Sequence, residues 1–100
     1  MSFTLEYSDE LTVRTIEGAH QLLAAALKAE PEVLLFVAPD ATVDISFVQL
    51  IEAGRRAAQE SGQGFALTAP AEGALHETLR RGGFLEAADS RAFWLMEGTH

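Results

Sequence analysis

Two side chains in this sequence are placed where a serine and an aspartate can do more than fill space. They are Asp44 and Ser46, in the run Val43-Asp44-Ile45-Ser46-Phe47-Val48, which passes from the loop after an apolar strand into a helix. A serine at a helix start can cap it, its hydroxyl accepting from a backbone N–H two or three residues on, and the spacing predicts Ser46 at that N-cap. Asp44 falls just outside, near the positive end of the helix dipole. The plainest account is a capping pair. The other account is recognition, because open α/β sheets meet ligands and partners where strands end and helices begin. On that account Thr42, Asp44, Ile45, Ser46, Phe47 and Val48 form a partner-binding segment.

Catalytic patterns are missing elsewhere. The sequence holds no nucleophile elbow, no Walker loop and no dinucleotide fingerprint. Gly62-Gln63-Gly64 falls between a helix and a strand, the wrong order for a phosphate loop, and is predicted to stop a helix and turn the chain. His20 is placed near the apolar face of the first helix, His76 on a solvated helix face, and His100 at the end of the sequence. Such spacing does not make a zinc site. The carboxylates are scattered rather than paired for acid–base work. Cysteine is absent, which removes disulfides, thiolate metal sites and a thiol nucleophile. The expectation is a protein without catalytic residues, metal or cofactor.

The balance of charge narrows the partners. At 100 residues the chain predicts one domain spanning 1–100, and its formal net charge is −8. An acidic surface repels nucleic-acid phosphates and anionic lipid head groups, so neither is an expected partner. It suits a partner with a basic patch. The first residues, Met1 to Glu6, lack the basic and long apolar regions of a signal peptide. No apolar run is long enough to span a bilayer. The expected location is the cytoplasm, without membrane insertion.

The elements that would position the Asp44–Ser46 segment follow from periodicity and turn chemistry. Phe3 to Tyr7 and Leu11 to Arg14 alternate apolar with polar around Ser8-Asp9-Glu10, which predicts a β-hairpin. Thr15 is the expected cap of a first helix, with Ile16, Ala19, Leu23, Ala26 and Leu27 at helical spacing. Val33 to Val37 is a continuous apolar run, suited to a central strand covered on both faces. A second helix is predicted from about Ser46 to Ser61. Its inner face carries Phe47, Leu50, Ile51, Gly54 and Ala58, with Gly54 allowing a close approach to the sheet. Phe65 to Thr68 reads as a strand, Glu72 to Arg81 as a third helix stopped by Gly82-Gly83, and Ala92 to Met96 as a last strand. Leu85 to Ser90 reads as a loop or a short turn of helix. The order is ββαβαβαβ, an α/β fold whose mixed sheet has a parallel centre with helices packed on it.

In this order the segment resembles the signature of the STAS domains, the sulfate transporter and anti-sigma factor antagonist family. Val33 to Val37 looks like the strand before the signature. Asp44-Ile45-Ser46-Phe47 takes the signature's place, and Val48 to Ala58 looks like the helix after it. Phe65 to Thr68 and Leu75 to Phe84 look like the next strand and helix end. Ile45 stands where the family has a first hydroxyl position, and Phe47 where it has glycine. The resemblance implies a non-enzymatic regulatory module, with Ser46 as the serine that a partner kinase phosphorylates. It implies binding to a protein kinase, an anti-sigma factor or a histidine-kinase-type signalling protein, in a partner-switching or chemotaxis-like pathway. A homodimer is a further option.

Two rival expectations stand beside it. One is a constitutive accessory subunit of a transporter or signalling complex, bound through the first turn of the second helix with Ser46 only a cap. The other is a small-ligand or nucleotide sensor, with an anion resting near Thr42 and Ser46. No basic side chain close in sequence supports that anion.

Overall fold

The chain is described by a computed structural model over residues 2–97. Five strands and four helices follow in the order β1 (Phe3–Tyr7), β2 (Glu10–Leu11), α1 (Ile16–Ala29), β3 (Glu32–Val37), β4 (Thr42–Val43), α2 (Ile45–Glu60), β5 (Gly64–Leu67), α3 (Gly73–Arg81) and α4 (Ala88–Trp94). β1, β3 and β5 form one parallel sheet in that spatial order, and β2 pairs with β4, also parallel. The α/β class and the central place of β3 match the expectation from sequence.

The expected hairpin does not form. Phe3 to Tyr7 pair in step with Val33 to Val37, and Glu10–Leu11 with Thr42–Val43. The chain therefore does not turn back after Tyr7. It steps through Asp9 in the left-handed region, at φ 66°, and continues alongside β3 and β4. The alternation of β1 fixes which face is buried, but it is the same for a parallel or an antiparallel neighbour. Among the described residues both sheets are wholly parallel, not mixed.

The expected last strand is a helix. Residues 88–94 form α4, and the 82–87 segment before it is a chain of turns. The Arg91 guanidinium donates to the carbonyls of Leu85 and Glu86 at 3.0 and 3.1 Å, holding those turns against the helix. Trp94 is fully buried and Phe93 stacks on Phe65 of β5 at 5.7 Å. The run Ala92 to Met96 has strand-forming residue types, but its burial comes from packing beside the sheet rather than from joining it.

The crossovers β1–α1–β3 and β3–α2–β5 bring α1 and α2 against each other and against the sheet. The face they meet supplies Leu5, Tyr7, Val33, Leu35 and Leu67, all buried in one cluster with Ala19, Leu23 and Ala26 of α1 and Phe47 and Ile51 of α2. A Cβ on Gly54 would lie 2.8 Å from a Leu23 methyl and 3.5 Å from the Phe65 ring. The close approach thus brings α2 against α1 as well as the sheet. The molecule is thin, 33 × 31 × 19 Å along its principal axes. Among the described residues the opposite face of β3 is not covered as expected: Leu34 is half-buried and Phe36 is 40% exposed.

Candidate functional site

The start of α2 is built by β4 and by the turn before α1. Asp44 has extended backbone, with φ −124° and ψ −179°, and is the N-cap of α2. This moves the cap from Ser46, where the sequence placed it, to Asp44, and makes Ile45 the first helical residue. The Asp44 carboxylate is shared. Oδ1 accepts from the Ser46 N–H at 3.0 Å and from the Ser46 hydroxyl. Oδ2 accepts from the Val13 N–H at 2.9 Å, and the Asp44 N–H donates to the Leu11 carbonyl at 3.1 Å. A carboxylate outcompetes a hydroxyl for this position because it offers two oxygens and a full charge to the helix dipole.

The segment held by Asp44 is a turn at residues 12–15. Thr15 occupies the N-cap position of α1, but its hydroxyl makes no capping bond to that helix. It instead accepts from the Thr12 N–H at 3.1 Å and donates to the Glu10 carbonyl at 2.8 Å. Val13, at the tip of the turn, is 67% exposed, and Ile45, on the other side of Asp44, is 42% exposed. A Cβ on Gly82 would lie 3.0 Å from the Ile45 Cδ1, so the end of α3 borders the same surface. The Thr78 hydroxyl reaches back to the Val43 carbonyl at 3.4 Å.

The six partner-binding candidates therefore divide. Thr42 and Ile45 are exposed, and Asp44 and Ser46 are half-buried with polar groups at the surface of the turn. Phe47 and Val48 are fully buried. Phe47 points inward, its ring edge-on to Tyr7 at 5.1 Å and 79°. Val48, expected in the partner-binding segment, lies in the core cluster with Leu75, Leu79 and Trp94. The reason is that α3 and α4 cover a second side of α2, which widens its buried stripe beyond the sheet-facing residues. Neither side chain is available to a partner in this conformation.

Burial is the largest single influence on the Asp44 carboxyl and pushes its pKa up. The Ser46 hydroxyl and the N–H groups of Val13, Ser46 and Phe47 together outweigh it and hold the carboxyl below its ordinary value. The folded-state value is depressed, so the stability Asp44 contributes is complete above the unfolded-state value. It is lost as the pH falls through the folded one. Asp44→Ala is expected to cost about 1–2 kcal/mol at neutral pH. The gap in melting temperature between Asp44→Ala and wild type should hold down to about pH 4 and close below it. A gap that is constant across an acid titration, followed by circular dichroism, would show that the carboxylate charge does not matter.

Sequence reasoning missed a second polar cluster, on the far side of α2. The Trp94 Nε1–H donates to Glu52 Oε2 at 2.7 Å, and Glu52 Oε1 pairs with Arg55 at 2.7 Å. The Arg55 guanidinium lies over the Phe93 ring, 5.4 Å from its centre, and 3.9 Å from the Asp89 carboxylate. Arg55 Nε is buried without a hydrogen-bond partner. This cluster fastens α4 to α2. The only signal for it in the sequence is the spacing of Glu52 and Arg55, one helical turn apart.

His20 and His76 lie on different helices, α1 and α3, and His100 is outside the described residues. Among the described residues no group of three histidine, aspartate or glutamate side chains could hold a metal ion. No helix there is long and apolar enough to cross a membrane. Comparison with family models, with curated proteins and with solved structures returns no match for this chain.

Proposed function

We propose that this chain is a non-enzymatic regulatory module that binds a signalling protein through the start of α2 and the 12–15 turn, with Ser46 as the phosphorylated residue. In this reading it acts as the anti-sigma factor antagonists of the STAS family do, and works in the cytoplasm. The partner is a protein kinase, an anti-sigma factor or a histidine-kinase-type protein.

One observation carries the reading: the Ser46 hydroxyl donates to the same carboxylate that holds the Val13 N–H. A phosphate on Ser46 Oγ removes that donor and adds a charge of about −1.5 to −2 beside Asp44 Oδ1. The phosphate is favoured at a helix N-terminus, where it competes with Asp44 for the same N–H groups. Asp44 is then repelled from its place and its hold on Val13 is lost. Phosphorylation thus changes both the charge and the shape of the surface between Val13 and Ile45. Neither step requires the module to perform chemistry.

Binding of the cognate kinase should separate three forms. Wild type and Ser46→Ala bind alike, and Ser46→Asp binds at least about tenfold more weakly, a difference of about 1.4 kcal/mol. Equal binding by all three forms removes the phosphoswitch. A complex that co-purifies in all three forms would support the constitutive-subunit reading, which the engagement of Ser46 with Asp44 also suits.

A further inference from the structure

We propose that the uncovered face of the β1–β3–β5 sheet is a docking surface for an amphipathic helix of another protein, one whose apolar stripe is bordered by lysine or arginine. Parallel sheets are ordinarily covered on both faces. Here α1 and α2 lie on one face only, and the other presents Leu34 and Phe36 from β3 beside Ala66 of β5. Phe36 is 40% exposed, and the half-buried Leu34 lies outside the core cluster of the described residues.

The shape suits one helix. Three strands about 4.8 Å apart make a strip about 10 Å wide, close to the diameter of a helix. Gly64 and Ala66 keep the β5 side low, and Leu34 and Phe36 stand along the middle. Phe36 also lines a cavity of about 110 Å³ at the ends of β3 and β5, bounded by Pro39, Pro70 and Glu72.

The charge decides between occupants. The strands of this sheet carry only two charged residues, Glu6 and Glu32, and both share this face with Phe36. Glu6 pairs with Phe36 across the ladder, and Glu32 leans over Gly64, whose absent Cβ would lie 2.9 Å from its Cγ. A second copy of this chain would set these acids against their equivalents on a protein of net charge −8. A helix with basic borders pairs with them instead. Asp44 and Ser46 are not on this face, so its occupancy is independent of the function proposed above.

An amphipathic peptide of about 18 residues built from leucine and lysine, long enough to cross the sheet, and its leucine–glutamate counterpart are the probes. Both are titrated into the isotope-labelled protein and followed by NMR. The lysine peptide should shift amides of β1, β3 and β5 and leave the exposed side of α1 unmoved, and the glutamate peptide should not bind. Leu34→Thr with Phe36→Ser should weaken binding at least about tenfold, and Glu6→Gln with Glu32→Gln should weaken it and its salt dependence. Leu22→Ser, which alters an exposed apolar residue of α1 outside both surfaces, should bind as wild type does. Melting curves confirm that each variant is folded. Shifts spread evenly over the acidic surface, or unchanged binding by the Leu34/Phe36 variant, overturn the proposal. So does a dimer in sedimentation that Phe36→Ser dissociates, since a second copy then occupies the face.

Discussion

Replacing Phe47 with alanine is expected to lower the unfolding free energy by about 3–5 kcal/mol, the range for an aromatic side chain removed from a packed core. Phe47 has no exposed surface, and its ring meets the Tyr7 ring edge-on beneath the first turn of α2. Tyr7 is itself fixed by its hydroxyl, which donates to the Ala19 carbonyl at 2.8 Å. The space left by Phe47 would thus be walled by β1, α1 and α2, three elements whose positions are set by other contacts. It would not collapse easily, which places the cost towards the upper end. For a domain of this size each kcal/mol is worth about 4–8 °C in melting temperature, so the variant should melt at least about 12 °C lower. An outward-facing Phe47 would cost no more than about 0.5 kcal/mol. A melting curve unchanged by Phe47→Ala would therefore show that the residue belongs to an interface and not to the core.

Trp94→Ala should have an effect of similar size, about 3–5 kcal/mol, for two combined reasons. It empties a fully buried site and takes away the indole donor to Glu52. Trp94→Phe separates them, because it keeps most of the apolar contact and loses only the N–H. Glu52 still pairs with Arg55 in that variant, so its carboxylate is not left alone, and the cost should fall to about 1–3 kcal/mol. Both variants should loosen α4 first. Hydrogen exchange of residues 88–94 should speed up in each, and Phe93 should lose its place between Phe65 and Arg55. If Trp94→Phe unfolds at the same denaturant concentration as wild type, the hydrogen bond to Glu52 adds nothing to the docking of α4.

The sequence carries some of this fold openly. The buried faces of α1 and α2, the central place of β3, and the helix stop at Gly62, with φ 70°, follow from periodicity and turn chemistry. What escaped it depends on contacts between residues far apart in the chain. The direction of β1 relative to its neighbour leaves no mark on β1, because alternation is the same either way. Phe93 and Trp94 have the types of strand residues, and only the space left between β5 and α2 makes them helical. At the candidate site the start of α2 was legible to within a residue, but which side chain caps it was not. Asp44 takes the cap from Ser46 because the Val13 N–H, thirty-odd positions earlier, supplies a second donor for its carboxylate. Val48 is buried by α3 and α4, whose packing nothing near Val48 announces.

The strand pairing also constrains how the chain can find its fold. No two neighbours in the main sheet are adjacent in sequence: Phe3 meets Val33, and Glu32 meets Gly64, each across an intervening helix. No hairpin is available to start the sheet locally. Each ladder instead closes a long loop before its hydrogen bonds can repay the lost entropy. β3 is the strand that both ladders share, so its ordering is the step on which β1 and β5 both wait. Because β3 lies between β1 and β5, one ordered strand serves both long-range pairings.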